Sequence, residues 1–142
     1  MQLNVAVAIG IVVVGGWLGT PLAVADDMTC VPRYGCNFFS PSGNIGCSLS
    51  AAAPHGSAAL AYCGTSSPPQ SVVMDEHGFA SFYPCDGANC MNGLTPDTPT
   101  LAYGQTARQG PFTCVSDTSG LTCTVPSGRG VAISRSGITA VE

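Results

Sequence analysis

Lysine is absent from the chain, and positive charge rests on four arginines alone: Arg33, Arg108, Arg129 and Arg135. Eight acidic residues outweigh them, for a formal charge of −4. A protein that neutralises phosphates or an anionic lipid surface presents a basic face. Four scattered cations cannot build one, so nucleic acid is excluded as a partner. Charged residues of both signs make up 8% of the chain, where about a quarter is usual. Chemistry at neutral pH draws on tuned titratable groups, so this scarcity weighs against catalysis. The single tryptophan, Trp17, lies close to the N-terminus. There is no G-x-S-x-G elbow for a serine nucleophile. There is no C-x-x-C knuckle for zinc or for a redox dithiol. Gly43-Asn44-Ile45-Gly46 is too short for a phosphate loop and has no strand–helix setting. No cofactor and no metal are expected.

Residues 1–25 contain no charged side chain. Val5 to Leu18 is an apolar run broken only by small residues, and Pro21 ends any helix there. Ala23-Val24-Ala25 follows, with Asp26 and Asp27 directly behind. This order of apolar stretch, breaker and A-x-A site reads as a cleavable signal peptide over 1–25. The alternative is an uncleaved membrane anchor, but a span needs about 20 apolar residues, and this run is only just long enough. Membrane contact is expected only through this segment, and only if it stays attached. The first cysteine is Cys30, too far from the cut for a lipid anchor. Removing 25 of the 142 residues leaves 117, enough for a single exported domain over 26–142.

All eight cysteines fall in that part: Cys30, Cys36, Cys47, Cys63, Cys85, Cys90, Cys114 and Cys123. An even count behind a signal segment reads as a disulfide framework. Sequence alone leaves many connectivities open. Locality favours Cys30–Cys36, Cys47–Cys63, Cys85–Cys90 and Cys114–Cys123, each closing a short loop worth roughly 2–3 kcal/mol.

Glycine (18) and proline (11) are frequent, which leaves little room for long helices. The segments between them are rich in Val, Ile, Thr, Tyr and Phe, as strands are. Phe38 to Leu49 reads as strand, turn, strand, with Gly43 free to take positive φ. Phe112 to Val125 reads the same way, with Cys114 facing Cys123. In both, a Ser-Gly pair introduces the returning strand, an echo that reads either as two similar hairpins or, the favoured reading, as turns reusing the same residues. Ser57 to Ala61 has some helical propensity. Ser71–Met74, Phe79–Tyr83 and Val131–Arg135 are further strand candidates, the last being the final strand. Some six to eight short strands imply a mainly β fold: a small disulfide-stapled antiparallel β-sandwich or a partly open barrel built from hairpins.

Two groups of residues offer chemistry. Asp75, Glu76 and His77 place two carboxylates beside an imidazole, as a small secreted hydrolase would need. Three consecutive turn residues point in different directions, however, and read better as a solvated turn. His55, between Pro54 and Gly56, reads as surface. The arginines are more promising in so cation-poor a chain. Arg129 and Arg135 flank the final strand at even spacing, which puts them on one face of an extended segment. They would bind a carboxylate or sulfate, or pair with acids of the domain itself. Arg33 and Tyr34, inside the Cys30–Cys36 loop, have the composition enriched at interfaces.

The ordered set Ser42-Gly43-Asn44-Ile45-Gly46-Cys47, Leu101-Ala102-Tyr103-Gly104, Phe112-Thr113-Cys114, Leu121-Thr122-Cys123-Thr124, and Ser127-Gly128-Arg129-Gly130 with Ile133-Ser134-Arg135 resembles a family of small secreted actinobacterial proteins. The resemblance spans roughly residues 38–137. It implies export, disulfides and a β-rich fold, and it implies no activity. The chain departs from the pattern at Arg129, where His is usual, and at Val131, where an aromatic is usual. The Cys30–Cys36 loop is an addition. The expectation is therefore a non-enzymatic extracellular or cell-envelope binding domain, with a protein or envelope component as its partner.

Overall fold

Breakers every few residues limit each extended segment to four to six residues, and among the described residues ten such segments pair as strands. The structure, a computed structural model, describes residues 26–31, 35–91 and 93–142. The expected signal peptide (1–25) and the candidate contacts Arg33 and Tyr34 lie outside the described residues. The first five strands are β1 (Cys36–Phe39), β2 (Ile45–Ser50), β3 (Leu60–Thr65), β4 (Gln70–Asp75) and β5 (Ala80–Tyr83). The second five are β6 (Thr106–Gln109), β7 (Phe112–Asp117), β8 (Gly120–Thr124), β9 (Gly130–Ser134) and β10 (Gly137–Val141). Each set forms one antiparallel sheet in which sequence neighbours are spatial neighbours. The result is mainly β: two five-stranded sheets and no closed barrel.

Alternation along the strands gives each sheet an apolar face. Phe38, Cys47, Leu49, Cys63, Val72 and Met74 of the first sheet are buried in one cluster with Phe112, Cys114, Leu121, Cys123, Val131 and Ile133 of the second. Each large apolar side chain buried there contributes about 1.5–3 kcal/mol.

Cys30–Cys36, Cys47–Cys63, Cys85–Cys90 and Cys114–Cys123 are bridged, the pairs that locality favours. Two of them staple equivalent places. Cys47 and Cys63 are directly opposed on the second and third strands of the first sheet. Cys114 and Cys123 are directly opposed on the second and third strands of the other. The next strand places a valine beside each, Val72 against Cys63 and Val131 against Cys123. The likeness between the two halves thus matches β2–β3 with β7–β8. The Ser-Gly echo had instead aligned the β1–β2 hairpin with β7–β8. The two bridges also meet: the Sγ atoms of Cys47, Cys63 and Cys123 lie within 4.8 Å of one another. With no free cysteine, these sulfurs form a packed sulfur centre and not a ligand set.

Two segments differ from expectation. Leu60–Thr65 is a strand, although alanines precede it. Pairing on both sides, with β2 and with β4, outweighs the weak local helical preference. The chain does not end its sheet at Arg135, because β10 returns along β9 after a tight turn.

The outward face of the first sheet carries an unusual row. Gly46, Gly64, Ser71 and Tyr83 are cross-strand partners in succession over β2, β3, β4 and β5. Three small residues leave a flat saddle, and Tyr83 stands at its edge. The 3-10 turn Gly87–Met91 lies on the saddle. A Cβ at Gly64 would come within 1.7 Å of the Cys90 carbonyl oxygen. The turn is held by the Cys85–Cys90 bridge and by the Tyr62 hydroxyl, which donates to the Cys90 carbonyl at 2.8 Å.

Candidate functional site

The two arginines that flank β9 do not share a site. The residues before and after a five-residue strand emerge at its opposite ends, and each arginine sits among different turns. Arg129 lies at the end that carries the β4–β5 turn. Its guanidinium stacks over the Phe79 ring, 4.3 Å from the centroid. That contact is worth about 0.5–1 kcal/mol at an exposed site.

The same end carries the sequence Asp75-Glu76-His77. Asp75 is occupied by the backbone: its carboxylate accepts from the amides of His77 (2.9 Å) and Phe79 (3.0 Å). His77 and Glu76 approach each other at 3.6 Å, with side chains 71% and 45% exposed. They form a solvated turn at the rim of a wide, open surface depression. His55 is exposed in its own loop.

Arg135 lies at the opposite end. There a narrow cleft of about 50 Å³ opens between the β1–β2, β7–β8 and β9–β10 turns and Tyr103. Most polar groups in it are already engaged. Asn44 latches the β1–β2 turn to the β3–β4 turn: its amide donates to the Ser67 carbonyl at 2.9 Å, and its oxygen accepts from the Ser66 hydroxyl at 2.7 Å. Ser40 and Ser42 share a hydrogen bond. Asp117 accepts from the amide and hydroxyl of Ser119 and from the amide of Gly120. The Ser119 hydroxyl, then its amide, hold the Asp117 carboxyl below the usual carboxylate range. Among the described residues the groups left over are the Arg135 guanidinium, the exposed Tyr103 phenol and the Thr118 hydroxyl. Together they offer charged and neutral donors to an oxyanion.

Among the described residues, the arginine that does pair with an acid is Arg108. Its guanidinium meets Asp27 at 2.7 Å and ties the segment ahead of β1 to β6. Sequence reasoning had not singled it out.

A further cleft escaped sequence reasoning altogether. It lies on the outer face of the first sheet, beside the 3-10 turn. It has a volume of about 520 Å³ and is lined by Tyr62, Ser71, Tyr83, Pro84, Cys85, Asp86 and Asn89. Most of its lining, from Tyr83 to Asn89, is contiguous in the chain, and the strand register adds Tyr62 and Ser71. The one local signal was the polar Cys85–Cys90 loop directly behind Tyr83.

Compared with protein-family models, with curated proteins and with solved structures, the chain has no match.

Proposed function

We propose that the chain is a non-enzymatic binding domain, exported and acting outside the cell or in its envelope. Four disulfides are typical of extracellular proteins, and the apolar N-terminal segment with its A-x-A site agrees with export. The observation that carries the binding reading is the cleft at Arg135. A guanidinium without an acidic or aromatic partner among the described residues stands beside a free phenol. The space there admits a carboxylate or sulfate group and little more. Such a group would belong to a larger partner, received by turns on a rigid β scaffold. The residues that carry the actinobacterial resemblance supply much of this cleft: Ser42, Asn44, Tyr103 and Arg135.

The hydrolase alternative has less support. Asp75 is engaged by backbone amides, and Glu76 and His77 stand in open solvent.

The test is a titration of the oxidised protein with acetate and then with sulfate, followed by backbone amide NMR. Saturable shifts at Arg135 and Tyr103 are expected, weakening as salt rises and lost in Arg135→Ala. Shifts that persist in Arg135→Ala, or none at all, would remove the oxyanion reading.

A further inference from the structure

We propose that the outer-face cleft between the 3-10 turn and β5 binds a neutral saccharide. This rests on different residues from the Arg135 cleft and stands without it.

The cleft has an aromatic edge. Tyr83 is 54% exposed, and the strand register stands it at the rim of the Gly46–Gly64–Ser71 row. Pro84 extends the apolar surface next to it. An exposed tyrosine offers a flat ring for the C–H face of a pyranose and a hydroxyl at its wet end.

The opposite wall is polar and unengaged. Asp86 and Asn89 are three residues apart in the turn that the Asn89 amide closes on the Asp86 carbonyl at 2.8 Å. Both side chains line the cleft. Neither has a side-chain hydrogen bond among the described residues. A carboxylate accepts only, whereas a carboxamide both donates and accepts. Adjacent sugar hydroxyls, each donor and acceptor at once, match such a pair.

Charge narrows the ligand. Among the described residues no cation lines the cleft, and Asp86 is the one formal charge there. An anionic ligand would meet repulsion, and a hydrophobic one would leave Asp86 and Asn89 desolvated and unpaired. The volume falls within the range of small-ligand sites, while the open face suits a unit within a longer chain.

The wall is also preorganised. The Cys85–Cys90 bridge, the Tyr62 hydroxyl on the Cys90 carbonyl and the seat on Gly64 fix the turn before any ligand arrives. A wall already ordered loses less freedom on binding.

The experiment is calorimetric titration of the oxidised protein with neutral hexasaccharides of glucose, galactose, arabinose and N-acetylglucosamine, one at a time. At least one should saturate with a Kd on the order of 0.1–1 mM, as one shallow site gives. Adding salt to about 0.5 M should leave that Kd unchanged, since no ion pair is involved. Tyr83→Ala should weaken it by about tenfold or more, and Tyr83→Phe much less, because stacking survives the loss of the hydroxyl. Asp86→Asn should weaken it about fivefold. Thr139→Ala, on exposed β10, should leave it alone. Absence of heat and of amide shifts up to about 10 mM of every sugar overturns the proposal. So does saccharide binding that survives both Tyr83→Ala and Asp86→Asn. Binding of a lysine-rich peptide alone, abolished by salt, would make the cleft a cation site and overturn it equally.

Discussion

Gly64→Ala tests how the outer cleft is built. The new Cβ would stand 1.7 Å from the Cys90 carbonyl oxygen and 2.5 Å from its carbon. Neither atom is the loose end of a side chain. Gly64 sits inside β3, paired on one side to Gly46 and on the other to Ser71, so its own backbone cannot retreat. The 3-10 turn must lift by more than an ångström. Overpacking of this kind costs about 1–3 kcal/mol. The Tyr62–Cys90 hydrogen bond goes with it, about 1 kcal/mol more. Alanine returns roughly 0.4–1 kcal/mol by restricting the unfolded chain. The net loss is about 2–3 kcal/mol, which at a urea slope of about 1–3 kcal/mol/M lowers the unfolding midpoint by about 0.7–3 M. Gly46→Ala is the internal control. Its Cβ would meet Leu94 Cδ1 at 2.4 Å and Met91 Sδ at 3.0 Å, both ends of flexible side chains. Those can rotate away, so the expected loss is about 1 kcal/mol or less. Urea unfolding followed by far-UV circular dichroism reads both variants. Equal midpoints, or Gly64→Ala at wild-type stability, would refute the seating of the turn on the glycine saddle.

Other outcomes follow from the same structure. Ser116 is buried, and its hydroxyl has no hydrogen-bond partner among the described residues; Ser116→Ala should raise stability by about 1 kcal/mol in urea unfolding. Replacing bridges by alanine pairs should cost most for Cys47–Cys63 (sequence separation 16), less for Cys114–Cys123 (9) and least for Cys85–Cys90 (5). The chain-entropy part runs from about 3 down to about 2 kcal/mol, and removing both core bridges should be non-additive because their sulfurs touch. The Asp117 carboxyl is held low in the folded state. Its contribution is therefore present above the ordinary carboxylate pKa and lost as pH falls through the folded value. Asp117→Asn should accordingly shrink the stability difference between about pH 7 and pH 3.

Much of this fold was legible because its signals are local. Short disulfide loops pair the nearest cysteines, and turn residues such as Gly43, which takes φ 74°, announce their hairpins. The strand at Leu60–Thr65 was harder, since only its two neighbours make it one. The final strand β10 is not separated from β9 in the sequence by more than the two-residue turn Arg135–Ser136, so the pattern reads as one last strand. The sites were less legible. Even spacing on a strand was read as a shared face for Arg129 and Arg135. In fact the strand is only as long as the gap between them, so each residue falls in a turn at the other end. The floor beneath the outer cleft depends on register across four strands, Gly46 to Gly64 to Ser71 to Tyr83, and register is a tertiary property.

The placement of the four bridges sets an order of dismantling. Cys47, Cys63, Cys114 and Cys123 are sealed where the sheets meet, and a reductant reaches them only when the sandwich opens. Cys85 and Cys30, in the two peripheral bridges, are partly accessible. Mild reduction therefore opens these two peripheral bridges before the core pair and leaves both sheets closed around their sulfur centre. With Cys85–Cys90 open, the wall of the outer cleft rests on the Tyr62–Cys90 hydrogen bond and the Gly64 seat alone, so a thiol-rich setting would loosen the cleft while sparing the scaffold.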